Sequence, residues 1–424
     1  MATIRPFRGL RFGPSAGPIE DLVAPPYDVL SKEERDLFAA KSPHNIVHLT
    51  LPEQKEDDRN QYVKYARSAS TLAEWTRDGS LVLEPAPAFY RYTQTFKVYG
   101  SDQPLVRTSI IALIKVEPYE KGVVLPHEQT FPKHKEDRLR ILEATRAHLE
   151  CIFGLYEDQG GLIVDQVSKA PARKAIDVTT EDGVRHVVET IDDAQACRAI
   201  ADALADKKVW IADGHHRFET ACAFRAMQGE KDGLIAEDFM MMALSSMSDP
   251  GLSLLPTHRT IKNKPMTADD LRSRMGSHFT FSEAPNHELF DRVVEAGDHT
   301  FGIALPGGTG LLAKMKEPDK IKEIIEGDAS PKLKALDVTI LHKLIFEKLL
   351  DIQGLDLVGY TRNPEEAMNA VNDGCSMAFL MNPPTVEDMR QIALGGEKMP
   401  QKSTFYYPKI LSGLVVWSLA NFEA

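Results

Sequence analysis

The run from Val209 to Thr220 constrains the fold more than any other stretch of this chain. Four apolar residues, Val209, Trp210, Ile211 and Ala212, meet Asp213-Gly214 and then a segment in which Phe218, Ala221, Cys222 and Phe224 recur at helical spacing. The pattern predicts strand, tight turn, helix. A helix start presents backbone N–H groups without internal acceptors at the positive end of the helix dipole, and Gly214 allows a ligand close to the backbone. With His216 and Arg217 as further donors, phosphate is the expected guest. An ordinary Asp-Gly turn with solvated histidines is the competing reading. Five consecutive polar or glycine residues, Asp213 to Arg217, behind a buried-looking strand favour a functional turn.

Composition narrows the class of partner. With 62 acidic against 50 basic residues the net charge is −12, which disfavours nucleic acid as the main ligand and suits a small charged one. No apolar run approaches the roughly 20 residues of a membrane helix, and Met1 to Arg11 lacks the apolar segment of a secretory signal. Cys151, Cys197, Cys222 and Cys375 have neither metal nor redox spacing and read as reduced core thiols. The cytoplasm is the expected compartment, and at 424 residues the chain has room for more than one domain.

Along the chain, Ala24-Pro25-Pro26-Tyr27-Asp28 reads as a rigid loop, because two prolines fix its backbone. Ser31 and Glu34 form a capping box for a helix over Lys32 to Ala40, and Asp28 projects just ahead of it. A helix is expected over Arg59 to Arg77, then a hairpin of strands Ala88 to Val98 and Arg107 to Val116. His127-Glu128-Gln129-Thr130 opens a polar loop with Lys133, Lys135 and Arg138, leading into a helix over Arg138 to Leu149. Strand Ile152 to Tyr156, a hairpin near Ala175 to Val188 and helix Asp192 to Ala205 precede the opening motif. The methionine-rich strand Phe239 to Ser246 reads as core filling. Gly307 to Gly310 reads as a hairpin turn, since a Walker loop needs Lys-Ser/Thr. From Leu336 onward, helix Val338 to Leu350, strand Leu355 to Tyr360, helix Pro364 to Val371, strand Ser376 to Leu380 and helix Val386 to Ala393 suggest a βαβ-type unit. The tail Pro400 to Lys409, with Lys402, Ser403, Thr404, Lys409 and three aromatics, can neutralise phosphate and stack on a base.

Together APPYDV (Ala24 to Val29), HEQT (His127 to Thr130), ADGHHR (Ala212 to Arg217) and PQKSTFYYPK (Pro400 to Lys409) resemble the bacterial family known as domain of unknown function 1015. Locally, over Asp192 to Gln228, DGHHR also resembles the nucleotide-handling motif of the ParB/sulfiredoxin-like superfamily, which includes free serine kinases. That likeness implies an α+β (mixed α/β) fold with a ParB/sulfiredoxin-like nucleotide-binding core and additional N-terminal and C-terminal α/β regions. It also implies phosphate contacts from Gly214, His216 and Arg217. Four stretches are expected: 1–150 with site loops, 151–260 carrying ADGHHR, a connector over 261–335, and 336–424 with the tail. Sulfiredoxins hold a cysteine where this motif has histidine, so sulfinate repair is not supported. The DNA-binding helix-turn-helix of ParB proteins is not evident.

The expected activity is a kinase that uses ATP or ADP with Mg²⁺ on a small hydroxyl compound, free L-serine foremost. Phosphoryl transfer needs positioning, charge neutralisation, a metal ion and a carboxylate base. Gly214, His216, Arg217, Ser403 and Thr404 are expected at the phosphates, with Lys402 and either Lys133 or Arg138 as counter-charges. Asp213 suits Mg²⁺ binding or orientation of the catalytic candidate His215, and Glu128 or Asp28 the base. The alternative is a nucleotide switch that closes or dimerises on CTP or ATP, or an NTPase without an acceptor. A metal-dependent hydrolase using His127, Glu128, His215 and His216 is weaker, since adjacent helical histidines diverge by about 100°.

Overall fold

The computed structural model describes residues 2–128, 132–354, 356–400 and 402–423, with the backbone alone of residues 132–134. Gln129, Thr130, Gln401 and the side chain of Lys133, all within expected site segments, lie outside the described residues. The chain is a mixed α/β protein that divides into two compact units, each discontinuous in sequence. Met1–Pro126, Thr130–Ser253 and Pro408–Ala424 bound the first, His127–Gln129 and Leu254–Tyr407 the second.

The first unit is built on a nine-stranded mixed sheet. In spatial order its main path runs Val124–Leu125, Val209–Asp213, Ile152–Tyr156, Phe239–Ser246, Leu105–Lys115, Phe89–Phe96, Arg185–Ile191 and Arg173–Thr179, with Ile4–Arg5 paired to Leu105–Lys115. Phe239–Ser246 lies inside this path and every residue of it is buried, as its unbroken apolar run demands. Phe218, Ile152, Ile211, Met240 and Met242 share one core cluster. Burying a side chain the size of Phe218 stabilises the fold by about 1.5–3 kcal/mol, which fastens helix His215–Ala226 to the sheet.

Local signals are well honoured here. Ser31 and Glu34 close the capping box on helix Lys32–Lys41, and strands Phe89–Phe96 and Leu105–Lys115 pair as an antiparallel hairpin. Helix boundaries differ most from expectation in two helices. The helix expected from Arg59 starts at Val63. The one expected over Arg138 to Leu149 spans Pro132–Thr145, because Arg146 turns the chain at φ +51° into a short strand, Ala147–His148, that pairs with Trp417–Ser418.

The second unit carries a six-stranded sheet in the order Phe279–Pro285, Thr309–Met315, Thr300–Ala304, Met377–Leu380, His258–Ile261, Val358–Thr361. Thr300–Ala304 and Thr309–Met315 are antiparallel across the Gly307–Gly308 turn, so the glycine-rich stretch is a hairpin turn as expected. The βαβ expectation is met in split form. Val358–Thr361 and Met377–Leu380, joined through helix Pro364–Ala370, are both antiparallel to His258–Ile261 and hence parallel to each other, with that strand inserted between them. Its partner strands lie about a hundred residues away or further, beyond the reach of local pattern. The helix expected over Val338 to Leu350 is wound as a π-helix from Ile340 to Leu349, a hydrogen-bond register that apolar spacing does not report.

Candidate functional site

The strand, turn and helix read from Val209 to Thr220 are present, and the turn is more constrained than an Asp-Gly pair requires. Pairing of strand Val209–Asp213 with Ile152–Tyr156 shifts register between Ile211 and Asp213, and such a bulge re-aims the side chain that follows. Gly214 adopts φ +93°, and a Cβ there would lie 2.6 Å from Ile152 Cγ2. Glycine is therefore required twice, by conformation and by space. Helix His215–Ala226 starts on it with no side-chain cap.

Asp213 is held by two cations. Lys409 Nζ donates to Oδ1, and Arg217 Nη2 donates to Oδ2 at 3.1 Å. Burial pushes the Asp213 carboxyl up, but Lys409 and Arg217 outweigh it and hold the group down at about 2. The aim of Lys409 is itself fixed. Gln94 Nε2 donates to the Lys409 carbonyl at 3.0 Å, and the buried Arg107 donates to the carbonyl of Pro408 and to Gln94.

Arg217, expected at the phosphates, is turned inward. Its side chain is 9% exposed, Nη1 donates to the Cys151 carbonyl at 2.8 Å, and its guanidinium carbon sits 5.7 Å from the Tyr27 ring centroid. Burial opposes its charge, yet the carboxylates of Glu150, Asp28 and Asp213 raise its basicity above the ordinary value. Glu150, which sequence reasoning did not single out, accepts from Tyr27 N at 3.0 Å and Ser412 Oγ at 2.9 Å. Arg138 is likewise turned inward. It donates to the Thr50 carbonyl at 2.8 Å and to Asp137 at 2.5 Å, with its guanidinium 4.0 Å from the Tyr27 ring. Asp28 is exposed on the short 3₁₀ turn Tyr27–Val29. His215 is buried and His216 half-buried at the helix start.

In the second unit, Glu128 and the tail meet. Glu128 Oε1 accepts from Lys402 N at 2.9 Å, and His127 Nε2 lies 2.8 Å from Thr404 Oγ1. Lys402 is exposed at φ +56°, a left-handed conformation uncommon for a residue with a Cβ. Its carbonyl accepts from Arg259 Nη2 at 3.1 Å. Arg259 is wholly buried, and burial lowers its basicity to about 10. Ser403 Oγ donates to the Pro400 carbonyl. Ser403 thus bonds within its own loop, whereas Thr404 pairs with His127.

The donor set does not fit a protein-held metal. Both oxygens of Asp213 are engaged by cations, contrary to the Mg²⁺ role expected of it, and among the described residues no group of three or more His, Cys, Asp or Glu is placed to hold an ion. The hydrolase reading loses its footing for the same reason. Glu150 and Tyr27 are not among the sequence-predicted candidates, and Lys409, read as a phosphate-neutralising residue of the tail, is not assigned there to the Asp213 turn. Their signals, a lysine ending PQKSTFYYPK and a tyrosine inside APPYDV, were in view but carried no indication of which turn they serve.

This geometry belongs to a mixed α/β protein with a left-handed glycine turn between a strand's carboxyl end and a helix start. The chain is a member of the family described as Protein of unknown function (DUF1015), whose model matches residues 4–339. Solved structures that resemble it include a free serine kinase variant in complex with ADP, 15% identical, covering 77% of this chain and 99% of that one at a TM-score of 0.39. A conserved hypothetical protein from Pyrococcus furiosus is 15% identical, with 74% and 97% covered and a TM-score of 0.35. C-terminally truncated SbnI from Staphylococcus aureus is 12% identical, with 73% and 88% covered and a TM-score of 0.36. No curated protein matches the chain. Among the described residues, no helix is long and apolar enough to cross a membrane.

Proposed function

We propose that this protein is a nucleotide-dependent phosphotransferase acting on a small hydroxyl compound, with free L-serine as the first acceptor to test. One observation carries the reading: an uncapped helix start on a left-handed glycine, Gly214, directly beside the paired cation Lys409. Backbone amides at such a start favour a phosphate group, and an ammonium beside it adds charge. The DGHHR resemblance supports the same assignment. ATP or ADP is the proposed donor, with Mg²⁺ arriving on the nucleotide phosphates.

In this reading Gly214, His215 and His216 border the phosphates, and Lys409 exchanges its contact with Asp213 for one shared with phosphate. Arg217 holds the turn from beneath. Asp28 is the proposed base, because it lies in the same unit and in the electrostatic field of Arg217. Its task is to accept the acceptor's hydroxyl proton as the oxygen attacks phosphorus.

The test is direct. Purified protein with ATP or ADP, Mg²⁺ and L-serine should form O-phosphoserine, read by ³¹P NMR or mass spectrometry. Nucleotide binding with no product over a panel of free amino acids and sugars would replace the kinase reading with a binding switch. Failure to bind ATP, ADP or CTP would remove both.

A further inference from the structure

Beside helix His215–Ala226 the first unit contains a small cavity of about 50 Å³, lined in part by Arg138, His148, Glu150, Arg217 and Thr220. Two polar atoms of these residues, Arg217 Nε and Thr220 Oγ1, are shut off from solvent and have no hydrogen-bond partner among the described residues. Glu150 brings an acceptor to the same cavity. Glu150 spends Oε1 on Tyr27 and Ser412, while the nearest cation to Oε2, Arg217 Nη1, is 4.0 Å away.

Unmet donors and acceptors of this kind cost free energy when buried, so each orphan calls for a partner. A separation of 4.0 Å is too long for a hydrogen bond, so Glu150 Oε2 can accept from a water. Size decides among ligands. About 10–15 Å³ of such space holds one water, so this cavity admits a small cluster and is too small for an amino acid or a nucleotide. Charge points the same way, because the occupant must accept from a guanidinium and donate to a carboxylate. Water does both, whereas a simple anion would meet Glu150 unfavourably. His148, which burial pushes down to about 4, adds no competing charge near neutral pH.

We propose that this cavity is an ordered-water site, in which water accepts from Arg217 Nε, donates to Glu150 Oε2 and hydrogen-bonds Thr220 Oγ1. Arg217 is then satisfied on every edge, by the Cys151 carbonyl, by Asp213 and by water. It is a positioning residue for the Gly214 turn and does not touch phosphate. The inference stands apart from the phosphotransferase reading, since it concerns only how the turn is held.

Two measurements test it. A high-resolution crystal structure of the intact protein should show water within hydrogen-bond distance of Arg217 Nε and Thr220 Oγ1, and xenon-pressurised crystals should show no xenon there. A dry cavity, or one that takes up xenon, overturns the proposal. Thr220→Val, which keeps shape and removes the hydroxyl, should lower Tm because it strips the water of a partner. An unchanged or higher Tm would mean that the hydroxyl had no partner to lose, and the proposal would fall.

Discussion

Lys409 and Asp213, 196 positions apart in the chain, form a hydrogen-bonded ion pair at the start of helix His215–Ala226. The last stretch of the chain thereby supplies a cation to the turn that organises the first unit. Both side chains are mostly buried, so the pair is shielded from the solvent screening that weakens exposed ones.

Lys409→Met should therefore shift acid stability. Asp213 is held at about 2, below an ordinary aspartate near 3.9. A depressed carboxyl contributes stability that is fully present above the unfolded value and is lost as pH falls through the folded one. Without Lys409 the folded value rises, so the acid-unfolding midpoint, followed by circular dichroism, should move to higher pH. At neutral pH the loss should be about 1–3 kcal/mol, because Arg217 still reaches the carboxylate. Coincident midpoints would show that the pair contributes nothing.

Gly214→Ala should destabilise on two counts. The left-handed backbone costs an L-residue about 1–2 kcal/mol, and the new methyl would meet Ile152 Cγ2 at 2.6 Å, an overpacking that adds about 1–3 kcal/mol. Denaturant unfolding measures the sum. Calorimetric titration with ATP or ADP should also show weakened binding if the phosphate site is at this turn.

His148 should make the first unit sensitive to mild acid. Burial pushes its imidazole down to about 4 from an ordinary value near 6.5. Between those values the unfolded chain takes up a proton that the folded one refuses. Stability should thus fall as pH drops from about 6.5 to about 4, then level off for this group. His148→Phe, which keeps a ring against Trp417 (centroids 5.6 Å apart, 13° between planes), should flatten that slope in urea titrations across the window. An equally steep slope would assign the proton uptake elsewhere.

Asp28→Asn and Glu128→Gln separate the two candidate bases. Loss of a general base typically lowers turnover by about 10²–10⁴-fold, and that loss is expected for Asp28→Asn with nucleotide affinity retained. Glu128→Gln keeps an acceptor for Lys402 N and is expected to retain most of its turnover. The reverse outcome in a product assay would move the base to Glu128.

Short-range signals made much of the first unit legible in advance. The capping box at Ser31, the all-buried strand at Phe239–Ser246 and the strand-turn-helix at Gly214 each depend on residues within a few positions of one another. The site was legible as a turn and as a set of motifs, but the partners were not. Lys402 reads as a counter-charge for phosphate, and its local sequence does not tell that Glu128 and Arg259 hold its backbone.

The sequence by itself determined the turn, since a glycine between an apolar run and an amphipathic segment leaves the backbone little choice. Only the tertiary structure decided which charges surround it. Arg217 faces inward because Cys151, Asp213 and Glu150 offer oxygens there. Lys409 reaches Asp213 because Arg107 and Gln94 fix the carbonyls of Pro408 and Lys409. Ion pairs and buried hydrogen bonds join residues far apart in the chain, and their geometry is set by packing that no local pattern encodes.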